Sequence, residues 1–178
     1  VPHVEANVGA IATQAKTNIF YGTNGLRLLK MGFSPQKALE DMLDEDSERE
    51  SRQVIIIDRE GRKAAFTGRE TLDWKGHLIG EDYVVAGNLL VGGRVIEAMA
   101  ETFEGFEGIL AERLMRALEA GQEAGGDKRG RVSAALLVAS EKEKGFPPFL
   151  DLSVDDHSDP VRELRRLFQS YKKQAHII

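Results

Sequence analysis

A glycine-rich basic loop, GGDKRGR at positions 125–131, runs directly into the apolar stretch VSAALLV at 132–138. The glycines let the backbone adopt positive φ angles and approach a ligand closely, and Lys128, Arg129 and Arg131 supply donors that suit a carboxylate or a phosphate. The simpler alternative is a surface turn, in which glycine ends a helix and the cations lie near its negative end. Both interpretations place a strand after the loop, and the loop sequence leaves the choice between them open.

The length and composition of the chain limit its class. Its 178 residues, 42% hydrophobic and 30% charged, fit one globular domain over residues 1–178. The net charge of -5 gives no overall attraction to nucleic acid or to an anionic membrane, so any basic site must be local. The absence of cysteine excludes disulfides, thiolate nucleophiles and cysteine metal sites. Because no apolar run approaches the ~20 residues that span a bilayer, we expect a soluble protein, for which the cytoplasm is the favoured compartment.

The hydrophobic pattern predicts a chain of mixed α and β structure. Strands are expected over the segments 8–15, 53–57, 63–67, 83–86, 132–139 and 149–154, and the second and third of these form a hairpin. Helices are expected after Gly22, after the N-cap pair Ser34-Pro35, and from about Arg94, Ile109 and Pro160. Two helices after the first strand, followed by paired strands with helices between the pairs, predict an α+β domain in which helices cover a double sheet.

Three weaker features of the sequence are explained by a role in the fold better than by a functional site. The acidic segment DEDSERE at 44–50 is predicted to be a solvated linker rather than a cation site. Trp74, Gly76 and His77 are predicted to lie in a loop, where packing of the aromatic ring on the sheet is favoured over the alternative that His77 binds a substrate ring. The sequence DDHSD at 155–159 combines carboxylates with an imidazole, but a turn that caps the last helix explains it better than a metal site does. We therefore expect no metal and no cofactor.

Four segments carry a resemblance to a known family. They are VGAIATQA at 8–15, GNLL at 87–90, the loop and strand at 125–137, and LDLSVDDH at 150–157. Together with the order of elements, they make the chain similar to an uncharacterised prokaryotic family, the domain of unknown function 1028. That family is placed within the superfamily of N-terminal-nucleophile (Ntn) hydrolases, of which the proteasome β-type subunits are distant relatives. The resemblance implies a four-layer α-β-β-α sandwich.

The resemblance also implies a reaction, from which this sequence departs. In the superfamily a Thr, Ser or Cys at the mature N-terminus attacks an amide carbonyl, and its own α-amino group serves as the base. Val1 has no nucleophilic side chain. We therefore expect that an N-terminal strand pair precedes the sequence given and that the chain as given is inactive. Secretion stays open, because a leader would lie in the missing part.

The resemblance assigns catalytic roles to three segments. The backbone N–H of Thr13 takes the role of oxyanion donor, because GAIAT at 9–13 is similar to the segment that forms the oxyanion hole. The alternative is that Thr13 is a strand-to-helix junction residue. Asn88 stands where relatives place a hydroxyl residue beside the amino group of the nucleophile. Asp127 lies in a loop similar to the one that closes the site and orients that amino group. We predict that Thr13, Asn88 and Asp127 converge.

Substrate contacts are expected from basic residues. Arg129 and Arg131 are candidates for binding a substrate carboxylate, with surface pairing to Glu119 or Glu123 as the alternative. His3 is a weaker candidate, because the superfamily often keeps a basic residue near the nucleophile. The resemblance thus implies an amide or peptide-bond hydrolase that takes a small anionic or amide-containing molecule and forms a homo-oligomer. The alternative is a non-catalytic module on the same fold that binds a small anion or serves assembly.

Overall fold

The computed structural model describes residues 2–140 and 150–174, in which five α-helices and eight β-strands form. In chain order these elements are β1 (Pro2–Glu5), β2 (Gly9–Ala15), α1 (Phe20–Lys30), α2 (Pro35–Asp44), β3 (Arg52–Asp58), β4 (Lys63–Thr67), β5 (Gly76–Ile79), β6 (Val84–Gly87), α3 (Arg94–Gly105), α4 (Leu110–Glu123), β7 (Ala134–Val138), β8 (Leu150–Val154) and α5 (Pro160–Gln174). Position 149 of the predicted last strand and the N-terminal Val1 lie outside the described residues.

Strands β1 to β4 form an antiparallel sheet in their order along the chain. Because alternate side chains of a strand point to opposite faces, Ile11, Val54 and Ile56 share one face, which α1 and α2 cover. The second of these helices contributes Leu39 and Met42 to the same buried cluster. The opposite face of the sheet meets β5 and β6, which contact β3 and β4.

Helix α2 begins where the sequence predicts it. The hydroxyl of Ser34 accepts a hydrogen bond from the backbone N–H of Lys37 at 3.3 Å, and Pro35 occupies the first helical turn. The cap satisfies a donor that has no partner within the helix, and proline fixes a φ that suits the first turn.

The second half of the chain forms two smaller antiparallel pairs, β5 with β6 and β7 with β8. Helix α3 packs against β5 and β6, whereas α4 packs against β7 and α5 against both β7 and β8. The side chains between these helices and β7–β8 form a separate buried cluster, which includes Met115, Leu136, Leu164 and Phe168. Strand β1 contacts β7, so the first sheet also meets this part of the chain.

Two short strands differ from the expectation. The sequence pattern does not predict β1, and Gly76 and His77 lie in β5 rather than in a loop. Each strand has four residues and is held by its pairing, β1 with β2 and β5 with β6. The partner strand, and not the local pattern, therefore decides their conformation. No helix within residues 2–140 and 150–174 is long and apolar enough to cross a membrane.

The acidic segment 44–50 is bound to the start of β3. Asp46 accepts hydrogen bonds from Nε of Arg52 and from the hydroxyl of Tyr21, both at 2.8 Å. The buried Arg52 also donates to the carbonyl of Lys16 at 2.6 Å. Five of the seven residues of this segment are exposed, as predicted for a solvated linker, but Asp46 is fixed in place because a buried guanidinium requires carboxylate and carbonyl partners. The hydrogen bond from Arg52 is the main reason why the pKa of Asp46 is strongly lowered.

Candidate functional site

The segment that follows β6 and the glycine-rich loop lie together at one end of the strands. Asp127 forms an isolated β-bridge with Leu90, and the backbone N–H of Lys128 donates to the carbonyl of Leu89 at 2.9 Å. Leu89 has a φ of 55°, a left-handed conformation that a residue other than glycine rarely adopts. The structure thus brings Asn88, which precedes this turn, into the same region as the loop.

Thr13 lies on β2, where its partner in the neighbouring strand β3 is Val54. Its side chain is fully buried. Successive residues of an antiparallel strand direct their backbone groups alternately to the two neighbouring strands. Val8 and Lys16, both even-numbered, form backbone hydrogen bonds with the residues that flank β3, Arg59 and Ser51. The odd-numbered Thr13 therefore directs its N–H to the opposite side, towards β1. In the described residues, β1 pairs with β2 as far as Ala12.

Gln53 connects Asn88 to the first sheet. Its side chain is 1% exposed and extends from β3 towards β5 and β6. The Nε2 atom donates to the carbonyl of Gly87 at 2.9 Å and to that of Gly76 at 3.1 Å, and it lies 3.0 Å from Oγ1 of Thr67. The Oε1 atom accepts a hydrogen bond from Nδ2 of Asn88 at 3.1 Å. The carboxamide of Gln53 therefore holds Asn88 in place. It also places Asn88 beside the start of β3, which pairs with the part of β2 that carries Thr13.

The same network continues to His77. Oγ1 of Thr67 lies 2.9 Å from Nδ1 of His77. Desolvation lowers the pKa of His77, which favours the neutral imidazole at neutral pH. The imidazole tautomer decides whether Thr67 or His77 donates in this contact, and the two hydrogens of Gln53 Nε2 are shared among three acceptors, Oγ1 of Thr67 and the two glycine carbonyls. Four polar side chains thus form one chain of hydrogen bonds between β3, β4, β5 and the end of β6.

Arg129 folds back on Asp127 within the loop. Its Nε and Nη2 atoms donate to the two carboxylate oxygens at 3.0 and 2.5 Å, and its backbone N–H donates to Oδ1 at 2.8 Å. The hydrogen bonds from Arg129 lower the pKa of Asp127, which keeps the carboxylate ionised at neutral pH. Arg129 therefore pairs with neither Glu119 nor Glu123, the two surface acids that the sequence offers as alternative ion-pair partners. Glu119 instead binds Arg165 of α5 at 2.6 Å.

The other two basic side chains of the loop also have partners. Nζ of Lys128 donates to the carbonyl of Asp73 at 2.5 Å, and Nη1 of Arg131 donates to Asp159 at 3.0 Å. The first contact holds the loop to the segment before β5, and the second holds it to the start of α5. A ligand anion would therefore compete with groups of the protein for the cations of this loop.

His3 lies on the other face of the first sheet. It is opposite Ile11, which faces α1, and its ring packs so closely on Gly22 that a Cβ there would overlap it. Burial lowers the pKa of His3. Gln53 and Asn88 meet on the face that β5 and β6 cover, so the structure places the side chains of His3 and Asn88 on opposite faces of the first sheet.

The sequence DDHSD at 155–159 forms the turn before α5. Nδ1 of His157 accepts a hydrogen bond from the backbone N–H of Asp159 at 2.9 Å, and the Asp159 carboxylate is the partner of Arg131. Over residues 2–140 and 150–174, no group of three or more His, Asp or Glu side chains has the geometry of a metal site.

The sequence patterns did not single out Gln53 or Thr67, and they placed His77 in a loop. In sequence, Gln53 is one polar residue at the start of an apolar strand, and polar residues at alternate positions of a strand usually face solvent. The position of Gln53 in the predicted hairpin is the signal that could have identified it. It belongs to the strand with the most continuous apolar run of the predicted hairpin, where both faces are expected to be covered and a polar side chain needs a specific partner.

Comparison with known proteins identifies a family. Residues 1–164 match the family described as "Family of unknown function (DUF1028)". Among solved structures, the chain is similar to the crystal structure of protein SPO2555 from Silicibacter pomeroyi, which is described as DUF1028. The two are 33% identical, with a TM-score of 0.89, and the match covers 97% of this chain and 74% of the other. No curated protein matches the chain.

Proposed function

The chain belongs to the DUF1028 family, and on that premise we propose that it forms the substrate site of an amide-bond hydrolase of the Ntn type. In this proposal the fold is a four-layer α-β-β-α sandwich. The contacts of α1 and α2 with one face of the first sheet, of β5 and β6 with its other face, and of α3 with β5 and β6 support that arrangement. The observation that carries the proposal is the gathering of Asn88, Gln53 and the Asp127 loop beside the strand of Thr13.

Thr13 supplies the oxyanion donor through its backbone N–H. A donor aimed at the developing negative charge of a tetrahedral intermediate stabilises the transition state by about 3 kcal/mol. The direction of this N–H, away from β3, supports the role. The role needs no side chain, which is consistent with the complete burial of the Thr13 side chain on the helix-covered face.

Asn88 and Asp127 orient the amino group of the nucleophile. An amine that acts as a base needs acceptors that fix its direction, and an ionised carboxylate and an amide oxygen are such acceptors. The ion pair with Arg129 keeps Asp127 charged. The nucleophile in this proposal is a Thr, Ser or Cys at the mature N-terminus of the gene product, and the reaction needs neither metal nor cofactor.

Arg129 and Arg131 are the proposed contacts for a carboxylate on a small amide substrate, such as an N-acyl amino acid. Each guanidinium has five N–H donors, of which the carboxylates of Asp127 and Asp159 use only some. Both side chains are about half exposed or more, so a ligand can reach them. His3 is left out of the proposed substrate site because its ring packs against α1.

A second candidate function is a non-catalytic assembly module. Three exposed apolar residues favour it, because the backbones of Leu72 and Trp74 bond to the segment 89–90 and that of Val91 bonds to the loop. Leu72 is 61%, Val91 55% and Trp74 36% exposed. Exposed apolar side chains that lie together are typical of surfaces that bind another protein. A homo-oligomer formed through this surface is compatible with either candidate.

A substrate screen with the intact gene product tests the proposal. N-acyl amino acids and small neutral amides are incubated with the protein, and amine release is followed by mass spectrometry. The mass of the intact protein is measured as well, because an acyl-enzyme would raise it. We expect the protein to release amine from at least one of these two classes of amide. Asn88→Leu should lower kcat/KM about 100-fold. Asn24→Leu, on the exposed face of α1, is the control and should keep full activity. No release from any amide, in a protein that self-associates, would favour the assembly module.

A further inference from the structure

The carboxamide of Gln53 has only one orientation that satisfies its surroundings. The carbonyls of Gly76 and Gly87 can only accept hydrogen bonds, and both lie within 3.1 Å of the same end of this side chain. That end must be the NH2 group. The other end is therefore Oε1, so the atom of Asn88 that faces it must be the donor Nδ2. Backbone positions thus fix the polarity of both amides, independently of how their oxygen and nitrogen atoms are assigned.

Asn88 consequently directs its Oδ1 away from Gln53. The residue is half-buried, and no donor of residues 2–140 or 150–174 bonds to this oxygen. The network behind it is directional, because Asn88 donates to Gln53 and Gln53 donates to the carbonyls of Gly76 and Gly87. Hydrogen bonds aligned in one sense polarise one another, which makes the oxygen at the open end a better acceptor.

We propose that Gln53 is a positioning residue that holds Asn88 with Oδ1 as an acceptor, and that the ligand group bound there is an N–H donor. A protonated amine and an amide N–H are the two chemical forms of such a donor. The inference rests on the proposed function only in treating Asn88 as part of the site, where its Oδ1 faces an N–H donor. A carboxylate oxygen is disfavoured at this position, since two acceptors would face each other and the amide behind them is held against turning.

Substitution of Asn88 tests the polarity without any ligand. In Asn88→Asp at pH 8, a carboxylate oxygen faces Oε1 of Gln53, so the Tm should lie about 5 °C below that of Asn88→Ala. At pH 4 the introduced carboxyl becomes a donor when it takes up a proton, so the difference should disappear. His77 titrates in both variants, and its effect cancels in the comparison. Equal Tm values at pH 8, or a difference that persists at pH 4, would overturn the assigned orientation.

Chemical shifts of the labelled full chain test the ligand class. Ethylammonium and acetate, which are similar in size, are added at matched ionic strength. We expect ethylammonium to shift the side-chain amide of Asn88 and the backbone N–H of Leu89, and acetate to leave both in place. Asn88→Leu should lose the shift of Leu89. Thr67→Val is the matched control, because it removes one contact of Gln53 and leaves the two carbonyls, and it should keep both shifts. Shifts with acetate, with both probes or with neither would overturn the inference.

The outcomes separate this inference from the proposed function. Neither measurement involves turnover. Amide hydrolysis without amine-selective shifts would refute the inference alone, and amine-selective shifts without hydrolysis would refute the proposed function alone.

Discussion

At the scale of single residues, one added methyl group at Gly22 should clearly lower the stability of the protein. Alanine in place of glycine within a helix normally stabilises a protein by up to about 1 kcal/mol. A Cβ at Gly22 would overlap the ring of His3, so we expect Gly22→Ala to lower the free energy of unfolding by about 1–3 kcal/mol. Urea unfolding measures this change. Gly105→Ala, at a site with nothing within 4 Å, is the control and should be neutral or stabilising. A Gly22→Ala variant as stable as the control would contradict the packing of His3.

Asp46 should contribute a pH-dependent part of the stability. Its side chain is 10% exposed and that of Arg52 8%, and removing one member of a buried ion pair costs about 3 kcal/mol. The lowered pKa of Asp46 means that this contribution is present above the unfolded pKa of about 3.9 and is lost as the pH falls through the folded pKa. We therefore expect Asp46→Asn to be destabilised at pH 7, with the gap to the wild type narrowing below about pH 4.

Asp44→Asn is the matched control for that experiment, because Asp44 forms a pair with Arg49 that is largely exposed. Such a pair contributes about 0–1 kcal/mol. If the gap between Asp46→Asn and the wild type stayed constant down to pH 3, the ion pair with Arg52 would not be the source of the stability.

The sequence patterns led to the proposal of Asn88 and Asp127 as site residues, but not to Gln53, the residue that holds Asn88. The first two lie in segments with a recognisable pattern, a glycine-led turn and a glycine-rich loop. Gln53 has no such signature, and its partner Asn88 is 35 residues away. Only the packing of β3 against β5 and β6 brings the two amides together, and local sequence does not encode that contact.

At the scale of elements, α4 and α5 are joined by a charged cluster. The Glu112 side chain is 10% exposed and contacts Arg165 at 2.8 Å, Arg116 at 3.0 Å and Lys172 at 3.4 Å. Glu112→Gln removes the charge that these cations share, so we expect a loss of about 2 kcal/mol in the free energy of unfolding, measured in urea.

The control for this helix contact is Glu163→Gln on α5. Glu163 pairs with Arg166 at an exposed position three residues further on, where a pair contributes about 0–1 kcal/mol. If Glu112→Gln lowered the free energy of unfolding no more than Glu163→Gln does, apolar packing alone, and not this cluster, would join the two helices.

The elements with local signals were predictable, and those that depend on pairing were not. Ser34 and Pro35 specify the start of α2 by themselves, because the cap and the fixed φ act within one turn. Strands β1 and β5 lack such signals, since one begins with proline and the other with glycine, both unfavourable in strands. Their conformation depends on β2 and β6, which supply the hydrogen bonds.

At the scale of the whole molecule, the apolar side chains beside the loop should govern self-association. We expect a homo-oligomer whose dissociation constant rises at least about tenfold in Leu72→Lys, because a charge would have to be buried in the contact. Sedimentation velocity at several concentrations measures it. Met31→Lys introduces the same charge at another exposed apolar position, at the end of α1, and should leave the dissociation constant unchanged. Equal effects of both variants would mean that overall charge, and not this surface, controls association.

If the proposed site is correct, an amide binds at the end of the strands, between the backbone N–H of Thr13 and the side chain of Asn88. The most direct test is a titration of the labelled full chain with N-acetylglycinamide, followed by the amide resonances. We expect the resonances of the Thr13 backbone N–H and of the Asn88 side-chain amide to shift together along one saturation curve, and Asn88→Leu to abolish the shift of Thr13. Shifts confined to Arg129 and Arg131, or a Thr13 resonance that does not move at saturation, would contradict it.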